Sequence, residues 1–273
     1  MTMQIAIVAT DGIVLASDTQ KRVTERQFTN GSEYIPDTII NSSKLSLCQR
    51  HNVAIALAGH SDVDSSAGDM LAKHLDSLPS LSDSDFGVVL KEWGDDYYGK
   101  SRLAGAQSST PLVALLVARP GSRFPIIKLG VNYDSYIRDS KSYAVSGHEN
   151  NAGVFWPEYL QVHKKKQDMS VSTAIAAFTI LTAGEINSYG IGDLEVWQCL
   201  DSWRVLSEQE IDSLKSRFGL LQEFIRKAVG VGAEITVDKK KFDALLGKMI
   251  SMPPVLQSEV KAPRKRKVKT SGA

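Results

Sequence analysis

Thr2-Met3-Gln4-Ile5-Ala6-Ile7-Val8-Ala9-Thr10-Asp11-Gly12-Ile13-Val14-Leu15-Ala16-Ser17-Asp18 is the stretch on which the reading of the fold turns. Residues 3–9 form a loosely alternating apolar run, Thr10-Asp11-Gly12 is a hairpin signal, and residues 13–16 read as the return strand. Outward from it, the polar residues 19–36 read as a loop or flexible hairpin. A second strand pair follows at 44–47 and 53–57, closed by Ala58-Gly59. A helix is expected over 62–78, with Ala67, Met70, Leu71, His74 and Leu75 on one face. A second, over 84–102, starts at a Ser/Asp-rich cap.

Strands return at 112–118, 125–129 and 143–146, helices at 151–163 and 171–186, and a strand at 194–199. A helical region covers 207–229 and 239–250. This order suits a pair of sheets with helices outside them and does not suit a strictly alternating βαβ parallel sheet. The expected class is therefore α+β, and no internal repeat interrupts it.

Composition narrows the function. With 42% hydrophobic and 23% charged residues among 273, the chain has ample material for a packed core. No apolar stretch is expected to approach the roughly 18–20 residues that span a bilayer. The first residues do not form a basic leader with a long apolar region, so a secretory signal is not expected. Two cysteines, Cys48 and Cys199, cannot build a disulfide scaffold and read as core residues of a cytoplasmic protein. The net charge of +1 hides a polarity. Lys261, Arg264, Lys265, Arg266, Lys267 and Lys269 lie in a tail without acids, leaving 26 basic against 31 acidic side chains in residues 1–260. That acidic body argues against nucleic-acid binding, and the basic end, 256–273, reads as a disordered, solubilising tail.

Familiar catalytic signatures are missing: no G-x-S-x-G, no P-loop, no H-E-x-x-H and no G-x-G-x-x-G opening a helix. Gly190-Ile191-Gly192 precedes a strand instead. His51, His60, His74, His148 and His163 lack ligand spacing, so neither a metal nor a cofactor is expected. Glu92, Asp95 and Asp96 read as a solvated helix face. Thr2 is different in kind. A small second residue permits removal of Met1, after which Thr2 carries both a hydroxyl and a free α-amine. An α-amine titrates near pH 7–8, so it can serve as general base for the adjacent hydroxyl.

The neighbours of Thr2 carry a resemblance. Asp11-Gly12 at the turn, Ala16-Ser17-Asp18 at the end of the return strand, Lys44-Leu45, Ala58-Gly59-His60-Ser61-Asp62, Ser146-Gly147 and Glu185-Ile186-Asn187-Ser188 occur in the order found in one family. Over about residues 2–200 the chain resembles proteasome β-subunits and HslV, the bacterial ATP-dependent peptidase. Three departures stand out. The interval from Asp18 to Lys44 is about ten residues longer than usual, Glu185 stands where the family has aspartate, and about 70 residues follow Leu200.

The resemblance implies a four-layer αββα sandwich of two antiparallel sheets, the N-terminal-nucleophile hydrolase fold, over residues 1–200. Residues 201–255 would be a mainly helical extension packed on it. It also implies a threonine-type endopeptidase in a self-compartmentalising ring, with unfolded protein or peptide as substrate and an ATP-dependent unfoldase as a candidate partner. In these terms Thr2 is the nucleophile, Lys44 lowers the pKa of its hydroxyl and amine, and Asp18 holds Lys44 at a wetted site. The Gly59 N–H faces the oxyanion, and Ser146, Glu185 and Ser188 orient the α-amine. Two other readings stay open: a non-catalytic structural ring subunit, and a hydrolase of a small amide on the same fold.

Overall fold

β1 (Met3–Val8) and β2 (Ile13–Asp18) are buried at every position, so both faces of this first hairpin are covered. The computed structural model describes residues 2–24, 27–29, 32–34, 37–59, 67–103, 113–131, 135–147, 151–186, 192–230, 240, 243–244 and 246–248. After the hairpin come β3 (Gln20–Thr24), β4 (Gln27–Thr29), β5 (Ser32–Tyr34), β6 (Asp37–Asn41), β7 (Leu45–Cys48) and β8 (Val53–Gly59). Two helices follow, α1 (Ala67–Ser77) and α2 (Asp83–Leu103), then β9 (Val113–Ala118), β10 (Ile126–Val131), β11 (Tyr136–Ser140) and β12 (Tyr143–Gly147). The chain continues through α3 (Asn151–Tyr159), α4 (Met169–Ile186), β13 (Leu194–Cys199), β14 (Trp203–Val205) and α5 (Glu208–Gly230).

Two five-stranded sheets result, ordered β12-β1-β2-β13-β14 and β11-β10-β9-β8-β7, and every pairing in them is antiparallel. The period-2 alternation of the strands sorts their side chains between two environments. Met3, Ile5 and Ile7 of β1, with Val14, Ala16 and Val196, pack against Ala174, Ile175 and Phe178 of α4. On the opposite face Ala6, Val8 and Leu15 meet Leu45, Ala54, Ala56, Leu116 and Ile126 of the second sheet. Val53, Ile55 and Leu57 then turn outward to Leu71, Leu75, Phe86 and Leu90 of α1 and α2. Helix, sheet, sheet, helix: this is the expected αββα sandwich, an α+β fold. Three alanines, Ala6, Ala54 and Ala56, sit among the larger Val, Leu and Ile side chains of the seam, and bulky side chains fill the helix-facing layers. Truncating one of the latter, such as Phe178, costs roughly 3–5 kcal/mol.

Four details differ from the sequence reading. α4 is an 18-residue helix long and apolar enough to span a bilayer, contrary to the expectation that no such stretch exists. It is apolar on all sides because it lies between the first sheet, α3 and α5, and a helix covered all round needs no polar face. The stretch 19–36, read as a loop or flexible hairpin, holds strands paired as β3 with β6 and β4 with β5, and the pairing runs on to Asn41. β11 and β14 were not anticipated. Both are edge strands, and β11 is mostly exposed, so its apolar pattern is weak. On α1, Met70 and His74 point to solvent, and the buried face is Ala67, Gly68, Leu71, Ala72 and Leu75.

Beyond the first sheet, Ile211, Leu214, Phe218 and Leu221 of α5 join the α4 layer, and Leu246 is buried in the same cluster. The Phe178 and Phe218 rings stand 5.4 Å apart. Cys48 and Cys199 are buried free thiols. Residues 60–66, 187–191 and 249–273, which include part of the first expected helix and the basic tail, lie outside the described residues.

Candidate active site

At the open end of the β1–β2 hairpin, three side chains from separated parts of the sequence converge. Lys44 Nζ donates to Thr2 Oγ1 at 2.9 Å and to Asp18 Oδ2 at 2.8 Å. Strand geometry produces this. Asp18 ends β2, one register step beyond the Gln4–Ser17 pair, which sets it beside the start of β1. Lys44 directly precedes β7, and its carbonyl accepts from Leu57 N at 2.9 Å, tying it to the neighbouring β8. The ammonium therefore reaches Thr2 from the second sheet across the seam.

Asp18 is held from four sides. Its Oδ1 accepts from Met3 N at 2.8 Å, and its Oδ2 accepts from Gln20 N at 3.2 Å and Gly192 N at 3.3 Å as well as from Lys44. The side chains of Lys44 and Asp18 are 3% and 0% exposed. The pair is therefore desolvated and not at a wetted site, and the backbone donors are what make a buried carboxylate tolerable there. The Met3 N–H bond also fixes the residue after Thr2, so one carboxylate positions both the lysine and the strand that carries the hydroxyl. Gln20 and Gly192, whose backbones complete this cradle, escaped the sequence reading. Backbone donors leave no mark in residue type, and only the Gly190-Ile191-Gly192 run hinted at a close approach.

Gly59 ends β8, two residues beyond Leu57 and opposite Val113 of β9. Ser146 lies opposite Gln4 on β12 and is fully buried. Neither its hydroxyl nor the Gln4 amide has a hydrogen-bond partner among the described residues. Gly147 faces Met3 in the register with a φ of +92°, and a Cβ there would come within 2.0 Å of the Thr2 carbonyl oxygen. Only glycine fits that backbone so close to the first residue of the hairpin. Glu185, on the last turn of α4, is exposed, and Ser188 lies outside the described residues. No cluster of three or more His, Cys, Asp or Glu that could hold a metal occurs among the described residues.

This arrangement can do nucleophile chemistry. A hydroxyl within hydrogen-bond reach of an ammonium has its developing negative charge stabilised, and a buried carboxylate keeps that ammonium charged and oriented.

Compared with known proteins, the chain matches no family model and no curated protein by sequence. By structure it is similar to Anbu (ancestral beta-subunit) from Yersinia bercovieri, with a TM-score of 0.62 at 12% identity, over 86% of this chain and 99% of that one. It is similar also to Anbu from Hyphomicrobium sp. strain MC1, with a TM-score of 0.57 at 13% identity over 86% and 100%. A third is the Anbu complex from Pseudomonas aeruginosa, described as a helical assembly, with a TM-score of 0.61 at 14% identity over 86% and 98%. At such identities the likeness is one of fold. The fold is proteasome-like, of the N-terminal-nucleophile type, and nothing in the likeness favours HslV in particular.

Proposed function

We propose that this chain is a threonine-type endopeptidase whose nucleophile is Thr2, exposed as the N-terminus when Met1 is removed. The observation that carries the reading is the ammonium of Lys44 shared between Thr2 Oγ1 at 2.9 Å and a fully buried Asp18 at 2.8 Å. A structural ion pair has no need to present a second N–H bond to the hydroxyl of residue 2.

In the proposed mechanism Thr2 Oγ attacks the scissile carbonyl carbon while the α-amine takes the hydroxyl proton, directly or through one water. Lys44 stabilises the charge that builds on Oγ. A backbone donor at Gly59, at the end of β8, receives the oxyanion, a contact typically worth about 3 kcal/mol in the transition state. The tetrahedral adduct expels the amine product, which leaves with the proton, and water then hydrolyses the ester on Thr2. Ser146, Glu185 and Ser188 are proposed to orient the α-amine.

The proteasome-like fold, together with a relative described as a helical assembly, supports self-association of this chain. In that setting the substrate would be unfolded protein or peptide admitted to an enclosed chamber, in the cytoplasm, with or without an ATP-dependent unfoldase. The test combines mass and turnover. Protein made in cells should begin at Thr2 by intact mass, a peptide epoxyketone should add to that terminus, Thr2→Ala should fold without turnover, and Thr2→Ser should keep part of it. Full activity with Met1 retained would overturn the assignment, and an inactive assembly with Met1 retained would favour a structural subunit.

A further inference from the structure

The far end of the β1–β2 hairpin, six strand residues and roughly 20 Å from Thr2, closes on a second feature. The turn glycine, Gly12, is pressed so tightly there that a Cβ would lie 2.0 Å from the Cys199 carbonyl oxygen and 2.5 Å from Met169 Cε. Beside it opens a cavity of about 370 Å³ between the start of α4, β13 and β14, and α5. Its walls include Met169, Leu206, Leu214 and Arg217. Arg217 is 7% exposed and has no ion pair or hydrogen bond among the described residues. A guanidinium that faces a cavity with no hydrogen-bonded partner keeps its five donors available, and their rigid fork matches a carboxylate.

Four other polar residues of the cavity, Arg204, Asp168, Gln198 and Thr173, are already engaged. Arg204 donates to Glu210 Oε1 at 3.1 Å and to Gln198 Oε1 at 2.5 Å. Asp168 caps α4 by accepting from Val171 N at 2.9 Å, and Gln198 Nε2 donates to Thr173 Oγ1 at 2.6 Å. The donors that stay open include Arg217 and the first N–H groups of α4, at Met169 and Ser170, which have no acceptor inside the helix. The positive end of an 18-residue helix dipole and an unpaired arginine thus face one space.

We propose that this cavity binds a small organic carboxylate, its head on Arg217 and the start of α4 and its body against Met169, Leu206 and Leu214. The volume suits a small molecule and exceeds what a bare inorganic ion needs. Asp11, Asp168 and Glu210, which also line the cavity, favour a singly charged carboxylate over a doubly charged phosphate. This site is independent of the Thr2 reading.

Hexanoate, hexanol and inorganic phosphate are the probes, with thermal unfolding of the full chain as the readout. At roughly tenfold excess over Kd, hexanoate should raise Tm by about 3 °C, and hexanol and phosphate should leave it unchanged. Arg217→Met should lose the response to hexanoate, and its own Tm without ligand should not fall, because a buried unpaired charge has been removed. A wild-type protein indifferent to millimolar hexanoate, or a response that survives in Arg217→Met, overturns the site. If Arg217→Met does not fold, protection of Arg217 in the wild-type protein from phenylglyoxal gives the same decision by peptide mass. Hexanoate must slow that modification, and an unchanged rate overturns the proposal.

Discussion

Lys44 carries two burdens, and its replacement separates them. In Lys44→Met, Asp18 keeps the N–H groups of Met3, Gln20 and Gly192 but loses its only cationic partner among the described residues. Breaking a buried pair from one side costs about 3–5 kcal/mol, and three remaining donors put the expected loss nearer 2 kcal/mol. Urea unfolding should show it, with Asp18→Asn in the same chain restoring part of the loss, and wild-type stability in Lys44→Met would mean that the pair is not buried in solution. Turnover should fall by roughly 100-fold or more, since the hydroxyl loses the charge that stabilises its alkoxide. Cys48, in the layer between the second sheet and its helices, gives a pH-dependent test. Burial, and then its hydrogen bond to Asp76 Oδ1 at 3.1 Å, pushes the thiol up to about 11. An unfolded thiol titrates near 8.5, so the folded state's advantage is complete below that pH and is lost as pH rises toward about 11. Stability measured at pH 7 and at pH 10.5 should drop more in the wild-type chain than in Cys48→Ala. Equal drops would show that Cys48 is not held in its protonated form.

The first hairpin was legible at the level of elements because local chemistry and tertiary role agree there: an apolar run, Asp11-Gly12, an apolar return. The ladders of 20–41 were read only as a loop or flexible hairpin over 19–36, since polar strands lack the alternation by which strands are recognised. β14, three residues long with two of them exposed, turns only Trp203 to the core, too little for a pattern. At the site, Thr2, Asp18 and Lys44 could be picked out by type and order. The desolvation of the pair could not, because it depends on two sheets closing over it. Gly147 joins the two levels, since its role is set by the β1–β12 register as well as by its own φ of +92°. Gly147→Ala should cost more than about 2 kcal/mol through the left-handed backbone and the clash with the Thr2 carbonyl. Because that clash falls on the first residue of the hairpin, turnover should drop in whatever fraction stays folded. Denaturant unfolding and peptide hydrolysis read the two effects, and a Gly147→Ala chain of wild-type stability would contradict the register.

In the whole molecule, the outer helical layer over the first sheet is not built by residues 1–200 alone. Ile211, Leu214, Phe218 and Leu221 of α5 close the α4 layer, and Phe218 sits 5.4 Å from the buried Phe178 ring. Each such side chain, fully buried, contributes roughly 1.5–3 kcal/mol, so four of them rival the entire net stability of an ordinary domain. A chain ending at residue 206 should therefore fail to fold or should aggregate through the uncovered face of α4. The boundary near residue 200 marks where the motifs read in the sequence stop and not where the core stops. Deleting 261–273 should behave in the opposite way, because six cations, no acid and a single large aliphatic side chain, Val268, in thirteen residues supply little to bury. Circular dichroism melts of the two truncations decide between these views. A cooperative transition near the wild-type Tm in the chain ending at 206 would make α5 dispensable, whereas a lowered Tm after removal of 261–273 would show that the basic end is packed against the body.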